Sequence, residues 1–185
     1  MSVTMNADMS VEQVIDRIRL LGNDGLTTLE LLEGYRQELD SRRAQFEQPE
    51  VVAEYMAFFV DMVGRAVAEC ERIAGELQTA VVPGPIESLR ELARRSAAEE
   101  DRCLLFRDQC INRALPHEDV RPLLNDISIT TRDQLTAFRD LGAAADRLEA
   151  LGAHGASSRG QARGFDRRAL LTRLFKPERP RAGRS

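Results

Sequence analysis

A stripe of apolar residues runs along positions 49–81 in steps of three and four. This spacing is typical of a helix that buries one face and exposes the other. Charged residues fall mostly off the stripe, and Pro49 suits a first helical turn. The sequence therefore predicts a long helix from Pro49 to Val81 as the element around which the chain is organised. The stripe comprises Val52, Tyr55, Phe59, Met62, Ala66, Cys70, Ile73, Leu77 and Ala80.

The first half of this helix, Val51 to Val63, is apolar on almost all sides, since Met56, Phe58 and Val60 flank the stripe. A helix of this kind either lies deep in a bundle or carries a contact surface. The core interpretation is the simpler one. The alternative is a dimer face, whose candidate residues are Val51, Tyr55, Phe58, Phe59 and Met62.

Two shorter helices are predicted ahead of it. Ser10 to Gln13 has the pattern of a capping box and starts a helix that ends near Leu21. Gly22-Asn23-Asp24-Gly25 is expected to terminate that helix. Thr27 to Glu30 has the same capping pattern, so a second helix is predicted from about Thr28 to Gln48. DNA binding by this pair is rejected because acidic residues in the second helix would repel phosphates.

Two further long helices are predicted in the rest of the body. Pro83-Gly-Pro85 is expected to form a tight turn before a helix from Ile86 to about Leu115. After a turn at 116–119, a helix is predicted from Asp119 to about Leu151, with a potential kink near Thr131. The apolar face of the first contains Ile86, Leu89, Ala93, Ala97, Leu104, Ile111 and Leu115, flanked by Cys103, Phe106 and Cys110.

Composition supports an all-α class. The chain has 185 residues, no Trp and few aromatics, which favours helix packing over a β-sandwich. Short connections favour antiparallel neighbours. We therefore predict an antiparallel up-and-down bundle of four main helices plus a short N-terminal helix. The expected divisions are a disordered 1–9, a bundle at 10–152, a flexible linker at 153–164 and a basic segment at 165–185.

Candidate chemistry is sparse. Neither His117 nor His154 belongs to a Glu-x-x-His pattern, so we expect no metal site. Cys70, Cys103 and Cys110 lack metal spacing and a neighbouring base, which favours buried reduced thiols. No export signal or membrane-spanning run is recognised, so a cytoplasmic location is expected. We predict no cofactor and no catalytic residue. The alternative is an enzyme or small-molecule carrier with a site inside the bundle core.

The C-terminal end differs in charge from the rest. From Arg159 to Ser185 there are nine basic and two acidic residues, which is a net charge of +7. Because the whole chain carries −4, the rest of the chain carries −11. As a helix, 165–176 would gather four apolar residues into one arc. The predicted docking residues are Phe165, Arg168, Leu170, Leu171, Arg173, Leu174, Phe175 and Lys176.

The run Leu170 to Lys176 resembles the short C-terminal membrane-targeting helices of bacterial division and partitioning ATPases, which implies binding to an anionic membrane. Two other surfaces compete: a groove on a partner protein, and the chain's own acidic body. Nucleic acid is disfavoured because no aromatic residues alternate with the arginines. The sequence thus predicts a non-catalytic adaptor or scaffold with a docking segment, peripheral to the membrane or bound to a partner, and a candidate homodimer.

Overall fold

The computed structural model describes residues 9–79 and 83–152. Within these ranges, four helices pack compactly and no strand is present, which confirms the all-α class. The helices are α1 (Val11–Ser41), α2 (Pro49–Thr79), α3 (Pro83–Ala114) and α4 (Arg121–Arg139), with 3₁₀ turns at Arg43–Gln45 and Glu118–Val120. Residues 141–152 continue the helical path after Asp140.

The predicted break at Gly22–Gly25 is wrong, because α1 runs without interruption through it. Gly25 lies within α1 at the point where this helix packs closely against two other helices. A Cβ atom at this position would lie 2.5 Å from Cγ2 of Val67 and 2.9 Å from Cζ of Phe138. The absence of a side chain therefore lets α1 approach both α2 and α4.

The second predicted capping box is also wrong. The Thr27 hydroxyl donates to the carbonyl of Asn23 at 3.3 Å, and the Thr28 hydroxyl donates to Asp24 at 3.1 Å. These are bonds within a helix, made to the preceding turn. By contrast, the capping box at Ser10 is confirmed, with both reciprocal bonds to Gln13 present.

Helix α2 matches its prediction closely. Every residue of the predicted stripe from Val52 to Leu77 is buried, while Ala80 lies outside the described residues. On its outer face, Arg65 pairs with Asp61 at 2.8 Å and Arg72 pairs with Glu76. The predicted helix start at Pro49 is confirmed.

Helix α3 departs from its prediction in two respects. Pro83 to Pro85 form its first turn, where a proline needs no N–H partner, and are not a separate tight turn. The buried face is also rotated, because Cys103 and Cys110 are buried while Leu104 is partly buried and Leu115 is exposed. The buried seam follows a seven-residue repeat, which differs slightly from the helical period and gradually shifts the face. The repeat is Leu89, Ser96, Cys103 and Cys110.

The last predicted helix is divided in the structure. The chain first forms the 3₁₀ turn Glu118–Val120, then α4, and pauses at Asp140 before 141–152. The suggested kink near Thr131 is absent from α4, where its hydroxyl donates to Ile127 within the helix at 2.9 Å. The discontinuity therefore lies about two and a half turns later than expected.

A few buried polar groups connect the helices across the core. The Nε2 of Gln134 donates to the Leu21 carbonyl at 3.4 Å. Its Oε1 lies 3.1 Å from the Thr28 hydroxyl oxygen, which shares its one proton between this acceptor and the Asp24 carbonyl. The Tyr55 hydroxyl donates to the carbonyl of Leu124 at 3.0 Å. Because a buried polar group left unpaired is costly, these bonds favour one alignment of α4 with α1 and α2.

Replacing Gly25 with Ala should lower the free energy of unfolding by about 1–3 kcal/mol, because the added methyl group overlaps Val67 and Phe138. Gly34→Ala is the matched control, since no atom lies within 4 Å of its Cβ position. This variant should gain up to about 1 kcal/mol from helix propensity. Urea unfolding of both variants measures the difference, and equal stability would contradict the close contact.

Candidate functional site

A groove lies between the C-terminal half of α1 and the first three turns of α2, with a cavity volume of about 300 Å³. We call it the α1–α2 groove. Its size lies at the lower end of the range for binding pockets. It is lined by Glu33, Arg36, Leu39, Asp40, Arg43, Phe46, Pro49, Val52, Ala53, Met56, Ala57 and Val60.

The floor of the groove is aliphatic and aromatic. Leu39, Phe46 and Met56 are buried beneath it, whereas Ala53 and Ala57 are exposed on α2. The two alanines are one helical turn apart and leave room above the floor. An apolar floor beside small side chains can accept the apolar face of a helix.

The rim of the groove carries an ordered set of charges. Arg36 donates from Nε and Nη2 to the two carboxylate oxygens of Glu33, at 2.8 and 2.6 Å. These hydrogen bonds lower the pKa of Glu33 to about 2. Asp40 lies 3.9 Å from the same guanidinium. One arginine is therefore shared by two carboxylates, and Arg43 also lines the groove, so the lining carries two acidic and two basic side chains.

One end of the groove is held by contacts between two connecting segments. The backbone N–H groups of Glu47 and Gln48 both donate to the Ala114 carbonyl, at 3.0 and 3.3 Å. Phe46 pairs with Pro116 in an isolated bridge. These bonds hold the segment that carries Phe46, so that end of the groove is formed before any ligand binds.

The same connection contains a strained residue. Leu115 has φ of 45°, a conformation that costs a side-chain-bearing residue about 1 kcal/mol or more. It follows directly after Ala114, whose carbonyl accepts both bonds from the opposite segment. The strain is therefore offset by the contacts that fix this end of the bundle.

The groove lies in an acidic part of the described body. Residues 30–61 contain eight acidic residues and three arginines, a net charge of −5. Clustered charge of one sign raises the local concentration of oppositely charged ligands. A basic amphipathic segment would thus be attracted to this face before its apolar side makes contact.

The residues predicted as a dimer face occupy the core of the single chain. Val51, Tyr55, Phe59 and Met62 are at most 5% exposed. Phe58 is half-buried and stacks on Phe106 with ring centroids 3.9 Å apart. Their surroundings agree with the core interpretation of this half of α2, and Phe58 alone of the five keeps an accessible surface.

The Phe58–Phe106 pair also has a cationic neighbour. The guanidinium of Arg102 lies 5.5 Å from the centroids of both rings, which is within range of a cation–π interaction. Because Phe58 belongs to α2 and both other residues to α3, the cluster joins these two helices near the surface.

The cysteines are buried free thiols. Removal from water raises the pKa of Cys70, Cys103 and Cys110 to about 12. Cys103 also donates to the carbonyl of Glu99 at 3.4 Å. A thiol with such a pKa is almost entirely protonated at pH 7, so it is a poor nucleophile and a poor metal ligand.

Candidate metal ligands do not cluster in the described part of the chain. None of the histidine, cysteine, aspartate and glutamate side chains in that part form a group of three or more placed to hold a metal ion. His117 lies in the connection between α3 and α4, where its backbone N–H donates to the carbonyl of Gln45.

Over 9–79 and 83–152, no helix has both the length and the apolar character required to cross a bilayer.

The predicted docking residues, from Phe165 to Lys176, lie outside the described residues, as do the linker 153–164 and His154.

The α1–α2 groove was not predicted from the sequence. Ala53 and Ala57, one turn apart beside larger apolar residues, were the available signal. That signal indicates a groove only when the position of α1 is known.

Comparisons with protein-family models, curated proteins and solved structures find no match to this chain.

Above about pH 8.5, the three thiols should make the folded state progressively less stable. Their folded pKa values are raised, so thiols in the unfolded chain lose protons first and unfolding becomes linked to proton release. By pH 9.5, the loss should be roughly 1 kcal/mol per thiol relative to pH 7. Urea unfolding under reducing conditions measures it.

The control for this experiment is the triple variant with Cys70→Ala, Cys103→Ala and Cys110→Ala. Its stability at pH 7 should be lower because loss of each buried Sγ atom leaves a gap in the core. It should lack the part of the pH dependence that comes from the thiols. The same pH dependence in both proteins would contradict the assignment.

Proposed function

We propose that this chain is a non-catalytic adaptor or scaffold, located in the cytoplasm. Its helical body binds a protein partner, and its basic C-terminal segment docks it to a partner or to an anionic membrane surface. The observation that carries this proposal is the α1–α2 groove, a preformed apolar surface within the acidic segment 30–61. Apolar grooves of this kind bind the amphipathic helices of partner proteins.

We also infer that the body is an antiparallel up-and-down bundle. Contacts between α2 and α3 support this, because later residues of α2 meet earlier residues of α3. Arg65 lies 3.9 Å from Glu99, and Arg72 donates to Ser88 at 2.9 Å. Reversed order along two adjacent helices is the expected feature of antiparallel neighbours.

The same order supports an antiparallel arrangement of α3 and the final helical path. Arg107 donates to Asn125 at 3.0 Å, whereas Arg90, earlier in α3, donates to Asp146 at 3.1 Å. Both pairs place exposed or half-exposed groups at the surface. These pairs are therefore evidence for the relative direction of the two helices, but they contribute little to the stability of the fold.

Binding is preferred to catalysis because the Glu33–Arg36 pair at the groove rim and the three cysteines are already engaged or protonated. The Glu33 and Arg36 side chains at the groove rim satisfy one another. The three thiols are buried, with raised pKa values. Neither arrangement provides an activated nucleophile or a general base near neutral pH.

Leu174→Asp in the full chain should abolish docking through the C-terminal segment, because it places a charge in the apolar arc. Thr172→Asp is the matched control, since this position lies outside the arc and the charge change is identical. Flotation with vesicles of anionic lipid tests membrane docking, and pull-down from native lysate tests protein docking. We expect Leu174→Asp to lose the interaction and Thr172→Asp to retain most of it.

Two results would contradict the proposal. One is that the unaltered chain neither floats with anionic vesicles nor captures a protein. The other is that both variants behave like the unaltered chain in both assays, because the apolar arc would then take no part in docking.

A further inference from the structure

We propose that the α1–α2 groove binds the segment Phe165–Lys176 of a second copy of this chain. This inference rests on the proposed function, in which that segment docks to a protein, and it names the partner and the site. Each chain would contribute one groove and one segment. The resulting contact is reciprocal, so two copies close into a symmetric dimer.

The dimensions of groove and segment agree. The part of α2 that lines the groove, from Pro49 to Val60, is about 17 Å long at the helical rise. A helix of the twelve residues 165–176 would be about 18 Å long. Its four apolar residues, Leu170, Leu171, Leu174 and Phe175, would face the floor, and Ala53 and Ala57 would leave space for them.

The chain segment around the groove and the docking segment carry net charges of opposite sign. Residues 165–176 contain four basic residues and one acidic residue, a net charge of +3, against −5 for residues 30–61. Asp40 on the rim is 63% exposed at its side chain, so it remains accessible to a basic residue of the segment. Complementary charge favours the encounter and the orientation of the bound helix.

The position of residue 152 argues against docking within one chain. Arg147 donates to the Met9 carbonyl at 2.8 Å, which places the end of the described chain beside the start of α1. The nearest groove residue on α1 is Glu33, about 36 Å farther along the helix.

The linker 153–164 has twelve residues, and its full extension is about 40 Å. A flexible Gly-rich chain of this length has a root-mean-square span of only about 19 Å. Reaching its own groove would therefore require an almost fully stretched linker, with a large loss of conformational entropy. The groove of a second copy has no such restriction, because the two bodies can approach each other.

The test uses two full-length variants that block opposite halves of the contact. Ala57→Arg fills the groove and repels the basic segment, and Leu174→Asp places a charge in the apolar arc. Ala98→Arg, at an exposed position on α3, controls for the added arginine. Circular dichroism checks that each variant is folded. If Ala57→Arg is not folded, Ala53→Arg replaces it as the groove variant.

Sedimentation velocity at increasing concentration should show dimers for the unaltered chain and for Ala98→Arg. Each blocked variant alone should need at least a tenfold higher concentration to dimerise. An equimolar mixture of Ala57→Arg and Leu174→Asp should form a 1:1 complex, because one intact groove meets one intact segment. This recovery requires contact between two chains.

Three results would overturn the inference: a monomeric unaltered chain at all concentrations, a dimer that persists in a folded groove variant, or a mixture that fails to associate. A monomeric chain that still floats with vesicles or captures another protein through Leu174 would leave the proposed function standing. Loss of every interaction that depends on the segment would overturn both.

Discussion

The close approach of α1 to its neighbours at Gly25 is the constraint on which the rest of the fold depends. A side chain at this position would overlap Val67 on α2 and Phe138 on α4. Beside it, Gln134 bonds to both Leu21 and Thr28, which favours one alignment of the helices. Because α1 is continuous from this contact to Ser41, the alignment at Gly25 also determines how its second half faces the start of α2. The groove is a consequence of that register.

Local patterns predicted the elements whose signals are local. The stripe of α2 and the capping box at Ser10 depend on neighbours within one helix, and the structure contains both. The meaning of Gly25 could not be obtained in this way. A glycine in a polar run is expected to end a helix, and only residues over forty positions away show that it instead provides space for packing. The rotated face of α3 has a related cause, because small cysteines occupy the seam where larger apolar residues were expected.

The charge difference on which the candidate site depends can be predicted from the sequence, whereas the groove cannot. The unequal charge of body and C-terminal segment is a property of composition, and it predicted a docking function. The groove depends on the connection at 42–48, which is held by the carbonyl of Ala114 from a distant part of the chain. Only tertiary structure brings these segments together. We propose that the segment 165–176, whose net charge is opposite to that of residues 30–61, binds this groove.

Hydrogen exchange of the backbone amides from Leu21 to Thr28 tests the continuity and packing of α1 most directly. If α1 is uninterrupted and packed at Gly25, these amides should be protected to nearly the same extent as those of α2 around Val67. Exchange at the rate of an unstructured peptide in this segment, while α2 remains protected, would contradict the account. In that case α1 would consist of two separate helices, and the register that forms the groove would no longer be determined by the contact at Gly25.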